Sequence, residues 1–340
     1  MRGESVSDAS ADAISARIEP YRQELRLHCY RLTGSLHEAE DLVQETLLRA
    51  WLRFATFRGT ASLRTWLYTI ATNACLDLLR KRPARSLPPA VFPAADPRAP
   101  FPVPGVEASW LEPFPTDWLA DASSDPEARY TRSESVSLAF LAALQLLPPR
   151  QRAIVILRDV LDWRAAEVAP LLGVTVSATN SALHRARVTL GQHYHAEESA
   201  AVWTTPPDAA TDALLQRYVL AWENDDVEGL VALLQAEAIL SMPPLPAWYA
   251  GREAIRELFA RYIFGAWGAQ RWRLVPTAAN GLPAFACYHA AEPRGSYQAF
   301  GIQLLTFDRA ASSGQIAELT FFGLSPELVV AFGFPPELPR

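Results

Sequence analysis

The sequence predicts a multidomain chain, with all-α domains that carry a helix-turn-helix in the N-terminal half and an α+β cone at the C-terminus. Three observations predict it. Apolar residues recur at helical spacing through 13–86 and 126–191, then turn to strand-like alternation in the last third. The proline-rich, acidic stretch 87–125 interrupts the helical pattern, because proline lacks the amide hydrogen that a helix interior needs. At 340 residues, 50% of them hydrophobic, the chain has material for several cores.

Residues 1–12 are polar and acidic, unlike a signal peptide, and read as a disordered N-terminus. No apolar run approaches the length of a membrane span, so a cytoplasmic protein with no membrane partner is expected. Cys29, Cys75 and Cys287 are isolated and odd in number, which argues against a disulfide framework or a zinc cluster, and no metal or cofactor is expected. The net charge of −6 is unevenly spread. Residues 1–86 hold 13 basic and 10 acidic groups and residues 148–190 hold 6 and 3, whereas 87–147 hold 3 and 8 and 191–340 hold 9 and 16. Contact with nucleic acid is therefore expected in the N-terminal half.

From Ala13 to Leu32 a helical pattern runs through Ile18, Tyr21, Leu25 and Cys29 and ends near Gly34. Ser35-Leu36-His37-Glu38 is a capping box for a second helix, whose stripe Ala39, Val43, Leu47, Ala50 and Phe54 turns inward. Asp41, Gln44, Glu45 and Leu48 are left outside, and a polar face that also shows leucine suggests a partner surface. Ser62 can cap a third helix with Leu63, Trp66, Leu67, Ile70, Ala74 and Leu78 pointing inward. Its other face carries Thr69, Asn73 and Arg80 and ends in Arg80-Lys81-Arg82, a basic end suited to nucleic acid. After the linker, helices are expected at 125–147 and, beyond Pro148-Pro149, at 150–160.

The stretch Arg164–Leu190 reads as helix, tight turn and second helix. Gly173 sits where a helix end wants a left-handed residue, and Thr175 is a good cap for the next helix. On the wheel Thr179, Ala182, Leu183, Ala186 and Leu190 gather inside, although Thr179 stands where an aliphatic residue is usual, so weaker packing is expected there. Ser177, Asn180, Ser181 and His184 lie opposite, flanked by Arg185 and Arg187. Short polar groups that reach base edges, bracketed by guanidiniums for phosphates, suit a major-groove helix.

EAEDLVQETLLRAW, FRGTASLRTWLYTIATNACLDLLRKR and LPPRQRAIVILRDVLDWRAAEVAPLLGVTVSATNSALHRAR together resemble regions 2 and 4 of an extracytoplasmic-function (ECF) sigma factor of RNA polymerase, over roughly 13–190. The resemblance implies that region 2 clamps the polymerase β′ coiled coil and captures the melted −10 strand, while region 4 binds the β flap and reads the −35 element. It places Asp41, Gln44, Glu45 and Leu48 on the polymerase clamp. It places Phe57, Arg58, Gly59 and Thr60 around a flipped −10 base, and Asn73, Asp77 and Arg80 on the non-template strand. Trp66 falls where primary sigma factors carry a strand-separating aromatic, while the wheel puts it with Leu63 and Ile70 in the core. The −35 contacts would come from Ser177, Asn180, Ser181, His184, Arg185 and Arg187.

In the last third, helices at 209–223 and 227–234 precede the strand-like AILSMPP, a helix over 252–264, and four alternating strands broken at Asn280-Gly281, Arg294-Gly295 and Ser313-Gly314. Helices followed by a curved antiparallel sheet of four to five strands make an α+β cone that resembles the SnoaL-like, ketosteroid-isomerase-type fold. Such cones enclose an apolar pocket, here with Trp248, Tyr249, His289 and Gln303, and with Met242, Tyr288 and Phe321, as candidate lining. Isomerase or cyclase chemistry would need a carboxylate or a His–Asp pair in the pocket. Glu292 and Asp308 sit beside turns and His289 is single, so the expectation is a non-enzymatic domain that senses a small-molecule ligand or docks.

The expected organisation is region 2 at 13–86, linker 87–125, region 4 at 126–191, linker 192–207, cone 208–324 and tail 325–340. The function expected is that of an alternative sigma factor that joins core RNA polymerase for promoter-specific transcription initiation. Its acidic C-terminal domain and tail are expected to pack on regions 2 and 4 and modulate activity. The alternative is a one-component helix-turn-helix transcription factor with a ligand-binding domain.

Overall fold

A computed structural model describes residues 12–103, 105, 109–119, 135–194, 209–266, 271–292, 295–307 and 315–340. The chain forms two compact units, Met1–Arg85 with Phe140–His195, and Ser86–Ala139 with Ala196–Arg340.

The described elements of the first unit are helices joined by loops. Helix α1 (Arg22–Thr33) stops at Gly34, whose φ of 70° is open to glycine and whose amide donates to Tyr30 O at 2.7 Å. Ser35 Oγ accepts from Glu38 N at 3.1 Å and caps α2 (Leu36–Arg53), whose inner face is Leu36, Ala39, Leu42, Val43, Thr46, Leu47 and Ala50. Ser62 caps α3 (Leu63–Leu79) in the same way, accepting from Thr65 N at 3.0 Å.

The inward stripe of α3 differs from expectation. Leu67, Ala71, Ala74, Cys75 and Leu79 are buried, while Leu63, Trp66, Ile70 and Leu78 are half-buried. This helix packs on α1 and α2 and also on the helices that follow the linker, so it buries a second face bearing Tyr68 and Thr72. A single-stripe wheel cannot show that.

His28 lies in this core with Nε2 at 2.8 Å from Thr72 Oγ1. Burial, with Arg31 and Arg64 nearby, pushes its imidazole down to about 3. Below pH about 6.5 the unfolded chain binds a proton that the folded one refuses, so stability falls as pH drops from 6.5 toward 3. The loss expected for this group is about 2 kcal/mol at pH 5. Urea titrations at pH 7 and 5 should show it, and His28→Gln should flatten the difference.

Beyond the linker, α4 (Leu138–Gln145), α5 (Pro149–Val155) and a π-helical turn Ile156–Val160 precede α6 (Ala165–Leu172) and α7 (Val176–His193). The helix expected at 125–147 begins only at Leu138 among the described residues; residues 135–137 are not helical, and 120–134 lie outside them. Arg152 of α5 ties these helices to α1. Its Nη1 donates to Leu32 O at 2.6 Å and Gln145 Oε1 at 2.7 Å, and its Nε to Leu144 O at 2.9 Å. Nη2 reaches the carbonyls of Gln145 and Leu147 at 3.2 and 3.3 Å. Burial lowers its pKa to about 10, so it remains charged at neutral pH. Nearby, Trp163 packs on Tyr68 with ring centroids 5.2 Å apart, and the Arg64 guanidinium lies 5.0 and 5.9 Å from the two rings.

In the second unit, α8 (Ala209–Glu223) and α9 (Val227–Ala232) lead into β1 (Leu234–Ser241), β2 (Trp248–Ala250) and α10 (Arg252–Leu258), which continues as a π-helical segment Phe259–Ala266. Strands β3 (Trp272–Ala279), β4 (Leu282–His289), β5 (Tyr297–Phe307) and β6 (Ile316–Phe322) follow, then α11 (Pro326–Ala331) and β7 (Glu337–Leu338). Among the described residues the sheet has seven strands in the order β2-β1-β6-β5-β4-β3, with β7 on β5. It is mixed rather than antiparallel, since β1 and β6 run parallel with Leu240 opposite Leu319. Two short strands, β2 and β7, lay below the level at which alternation is readable.

Strand alternation sends Leu240, Leu319, Leu305, Phe321 and Phe285 into the interior under α8 and α10. At Gly301 a Cβ would stand 2.0 Å from Phe322 O, so only glycine permits β5 and the end of β6 to approach there. The tail, expected on regions 2 and 4, pairs with its own sheet: β7 joins β5, and Tyr288 Oη donates to Pro335 O at 2.8 Å.

The linker docks on this unit along its described length. Trp248 Nε1 donates to Phe92 O at 2.7 Å, Arg98 pairs with Glu257 at 2.9 Å, and Tyr262 Oη donates to Ala99 O at 2.7 Å. Its second half meets the β3–β4 turn, where Asn280 and Gly281 have φ of 53° and 75°, as a two-residue hairpin requires. Asn280 N donates to Phe114 O and Asn280 Oδ1 accepts from Phe114 N, both at 2.9 Å. Asn280 Nδ2 donates to Val136 O at 2.6 Å, and Gly281 N to Thr116 Oγ1 at 3.0 Å.

Candidate functional site

Helix α7 has the amphipathic form expected of a groove reader. Thr175 Oγ1 caps it by accepting from Ala178 N at 3.1 Å, and Gly173 turns the chain with φ of 65°. Thr179, Leu183 and Ala186 are buried, whereas Ser177, Asn180, Ser181, His184 and Arg185 are exposed in a row. Thr179 is fully buried, and its hydroxyl donates to Thr175 O at 3.1 Å, so the polar group at an apolar position is satisfied. Arg187 is exposed but already engaged: it grips Asp159 through Nη2 at 2.6 Å and Nε at 3.0 Å. An exposed pair of this kind contributes little to stability.

On α3 and at its C-terminal cap, Asn73, Asp77 and Arg80 are exposed, with Asp77 and Arg80 paired at 2.9 Å. Trp66 is half-buried in an aromatic patch rather than in the core. Its ring lies 5.2 Å from Phe57 and 6.2 Å from Phe54, and Arg17 stands 4.9 Å over Phe54. Arg58 is exposed on the same loop. The structure therefore brings Phe57, Arg58 and Trp66 together and lines up the three polar groups further along α3.

On α2, Asp41, Gln44, Glu45 and Leu48 are exposed, Glu45 in a 2.5 Å pair with Arg49. Leu48 is 58% exposed, and Trp51 and Leu52, at 40% and 65%, extend this apolar surface. Sequence reasoning missed those two, although they stand three and four positions beyond Leu48, on the same helical face. If this face is the polymerase contact, Leu48→Asp should weaken binding to core polymerase at least tenfold with an unchanged unfolding midpoint; fluorescence anisotropy and urea titration measure the two.

In the cone, the four candidate pocket residues part company. Tyr249, opposite Leu240, and Gln303, opposite Phe285 and Phe321, point into the interior. Gln303 Oε1 accepts from Tyr218 Oη on α8 at 2.8 Å. Trp248 faces the linker instead, because it sits opposite Ser241, one residue out of phase with the interior set. His289 is half-buried at the strand end, 4.7 Å from the Trp272 ring. Met242 and Phe321 are buried in the interior core, whereas Tyr288 is turned to the tail. The carboxylate overlooked in the sequence is Glu318 of β6, whose pKa burial raises. Between interior Leu319 and its neighbours it falls on the outward face, beside Thr320 at 3.4 Å, and offers no base to the interior. Asp308 lies outside the described residues.

The Sigma-70 region 2 family model matches residues 17–85, Sigma-70, region 4 matches 137–190, and the SnoaL-like domain matches 215–319. The ECF RNA polymerase sigma factor SigG of Mycobacterium tuberculosis (strain ATCC 25618 / H37Rv) is 45% identical over 338 residues, covering 99% of this chain and 88% of that protein. SigJ of the same organism is 29% identical over 82% of this chain and 85% of its own length. The crystal structure of that ECF sigma factor SigJ matches with a TM-score of 0.57 at 24% identity, over 94% of this chain and 99% of the other, a likeness of fold. With both sigma regions in order and this identity along nearly its whole length, the chain belongs to the ECF RNA polymerase sigma factors and carries a C-terminal SnoaL-like domain.

Proposed function

We propose that this sigma factor reads the −35 element through the exposed face of α7 and holds the melted −10 strand with Phe57, Arg58, Trp66, Asn73, Asp77 and Arg80. Polymerase contacts come from Asp41, Gln44, Glu45 and Leu48 on the β′ clamp, with region 4 on the β flap. It acts where polymerase is, in the cytoplasm, and by binding rather than by chemistry. The observation that carries this reading is the pairing of a capped, exposed polar helix α7 with an exposed apolar and acidic face on α2 in one helical unit. A DNA-only repressor has no use for the second surface. Purified protein with core polymerase should give start-site-specific transcripts on genomic DNA, and output no higher than core alone overturns the reading.

Arg185→Ala should weaken −35 binding on all sequences and lower the salt slope by about 1, as for a phosphate contact. Asn180→Ala should cost about 1–3 kcal/mol on the preferred sequence and little elsewhere. Binding isotherms on matched and scrambled sites at several salt concentrations separate the two roles.

The SnoaL-like domain modulates this activity through the linker. Its support is the hydrogen-bonded docking of Phe92–Ala99 and Phe114–Thr116 on β2, α10 and the β3–β4 turn.

A further inference from the structure

Helix α7 exposes an apolar side chain at the start of its otherwise polar outer face. Val176 is the first residue of the helix, directly after the cap Thr175, and is 45% exposed. At about 100° per residue it stands about 40° from Asn180 and about 100° from Ser177, both exposed, so the three share one side of the opening turns. Packing at a helix cap joins the residue before the cap to the fourth of the helix, here Val174, half-buried, and Thr179, buried; Val176 is neither. The cap therefore does not call for an apolar side chain at this position. Single exposed valines are common on protein surfaces, and what sets this one apart is its place. The first residues of a recognition helix are the ones that meet base edges.

The chemistry of the major groove defines what such a side chain can meet. Adenine, guanine and cytosine offer hydrogen-bond donors and acceptors there, whereas thymine adds an apolar group, its C5-methyl. The valine side chain can neither donate nor accept. Pressed against a polar base edge it would strip water from that edge and return no hydrogen bond, which costs affinity. The same side chain thus favours thymine and penalises the other bases, the two halves of specificity. Its reach is set by spacing. Val176 and Asn180 are four residues apart, about 6 Å along the helix, and the duplex rises about 3.4 Å per base pair, so the two side chains fall within about two base pairs of each other.

We propose that Val176 is a specificity-determining residue of the −35 contact and reads the C5-methyl group of a thymine lying within about two base pairs of the base met by Asn180. This rests on the reading of α7 as the −35 helix and adds a property of the promoter: its −35 element holds a thymine at a fixed offset, recognised by its methyl group and not by a hydrogen bond. The effect at stake is the burial of about one methyl group, about three- to fivefold in affinity.

The test starts from the duplex sequence that the full chain selects from a random pool, with core polymerase and without it. Each thymine of that sequence, on both strands, is replaced in turn by deoxyuridine, which lacks only the C5-methyl group. Removal of one methyl should weaken binding about three- to fivefold, within about two base pairs of the position where Asn180→Ala relaxes the preference. Val176→Ala should bind the unmodified duplex about three- to fivefold more weakly, and deoxyuridine at that position should then have no further effect. Val176→Ile, which keeps the apolar contact, should retain the effect. Three results overturn the proposal: no selected sequence or no thymine whose methyl matters, a methyl effect undiminished in Val176→Ala, or a loss in Val176→Ala that appears equally in binding to core polymerase without DNA, which would assign the side chain to polymerase. Start-site-specific transcription is measured separately. A sequence selected without polymerase, and no such transcript, would overturn the sigma reading while the methyl contact stands or falls by the same substitutions.

Discussion

Replacing Arg152 by methionine should destabilise the helical unit by about 3–5 kcal/mol, one of the two largest effects expected of a single side chain here. The guanidinium makes five hydrogen bonds, to Leu32 O, Leu144 O, Gln145 O, Gln145 Oε1 and Leu147 O, and is 2% exposed. Methionine fills the volume but strands those buried acceptors, and the cost lies in what is left unpaired. Lysine keeps the charge but brings only three donors on a single nitrogen, so Arg152→Lys should recover part of the loss. Because Leu32 belongs to α1 and the other acceptors to the α4–α5 corner, amides at the end of α1 should exchange faster as well. Urea denaturation and hydrogen exchange measure both; unchanged α1 exchange in Arg152→Met would mean that the corner, and not the tie to α1, is what this arginine supports.

Asn280→Ala should release the second half of the linker. Asn280 is fully buried, holds the Phe114 amide with its side-chain oxygen and Val136 O with its nitrogen, and sits at φ of 53°, where alanine is strained. The combined loss is about 3 kcal/mol, which raises exchange at the Phe114 amide roughly a hundredfold. Asn280→Asp keeps the acceptor and tolerates the left-handed backbone, so it should lose less. If the domain modulates transcription by holding the linker, the alanine variant should also produce several times more promoter-specific transcript per mole with core polymerase. Faster exchange with unchanged transcript would separate docking from regulation.

The helices were legible because their ends are written locally. Ser35, Ser62 and Thr175 accept the amide hydrogens expected of caps, and Gly34 and Gly173 take the left-handed conformation expected of stops. Exposure of Asp41, Gln44, Glu45, Leu48, Ser177, Asn180, Ser181 and His184 was legible for the same reason: a 3.6-residue period fixes which side faces out. What one wheel could not show is a helix shared by two neighbours, as in α3, or a counter-ion 28 residues away, as Asp159 is for Arg187. The cone was harder, since the β1–β6 pairing joins residues about 80 positions apart and leaves no local mark. Trp248 and Gln303 both looked like pocket residues as apolar-strand neighbours. One residue of register separates facing the linker from facing the interior.

The place of β6 in the sheet also governs what a shortened chain can be. Among the described residues β6, the latest of the long strands in chain order, is the central one: it stands between β1 and β5, and without it the sheet falls into a β1–β2 ribbon and a β3–β4–β5 meander. A two-stranded ribbon is marginal in water by itself. During synthesis both sigma regions are complete before this strand exists, so the helical unit can fold before the C-terminal sheet does. A stop codon a few residues before Ile316 would therefore remove the function of a whole domain while deleting less than a tenth of the chain.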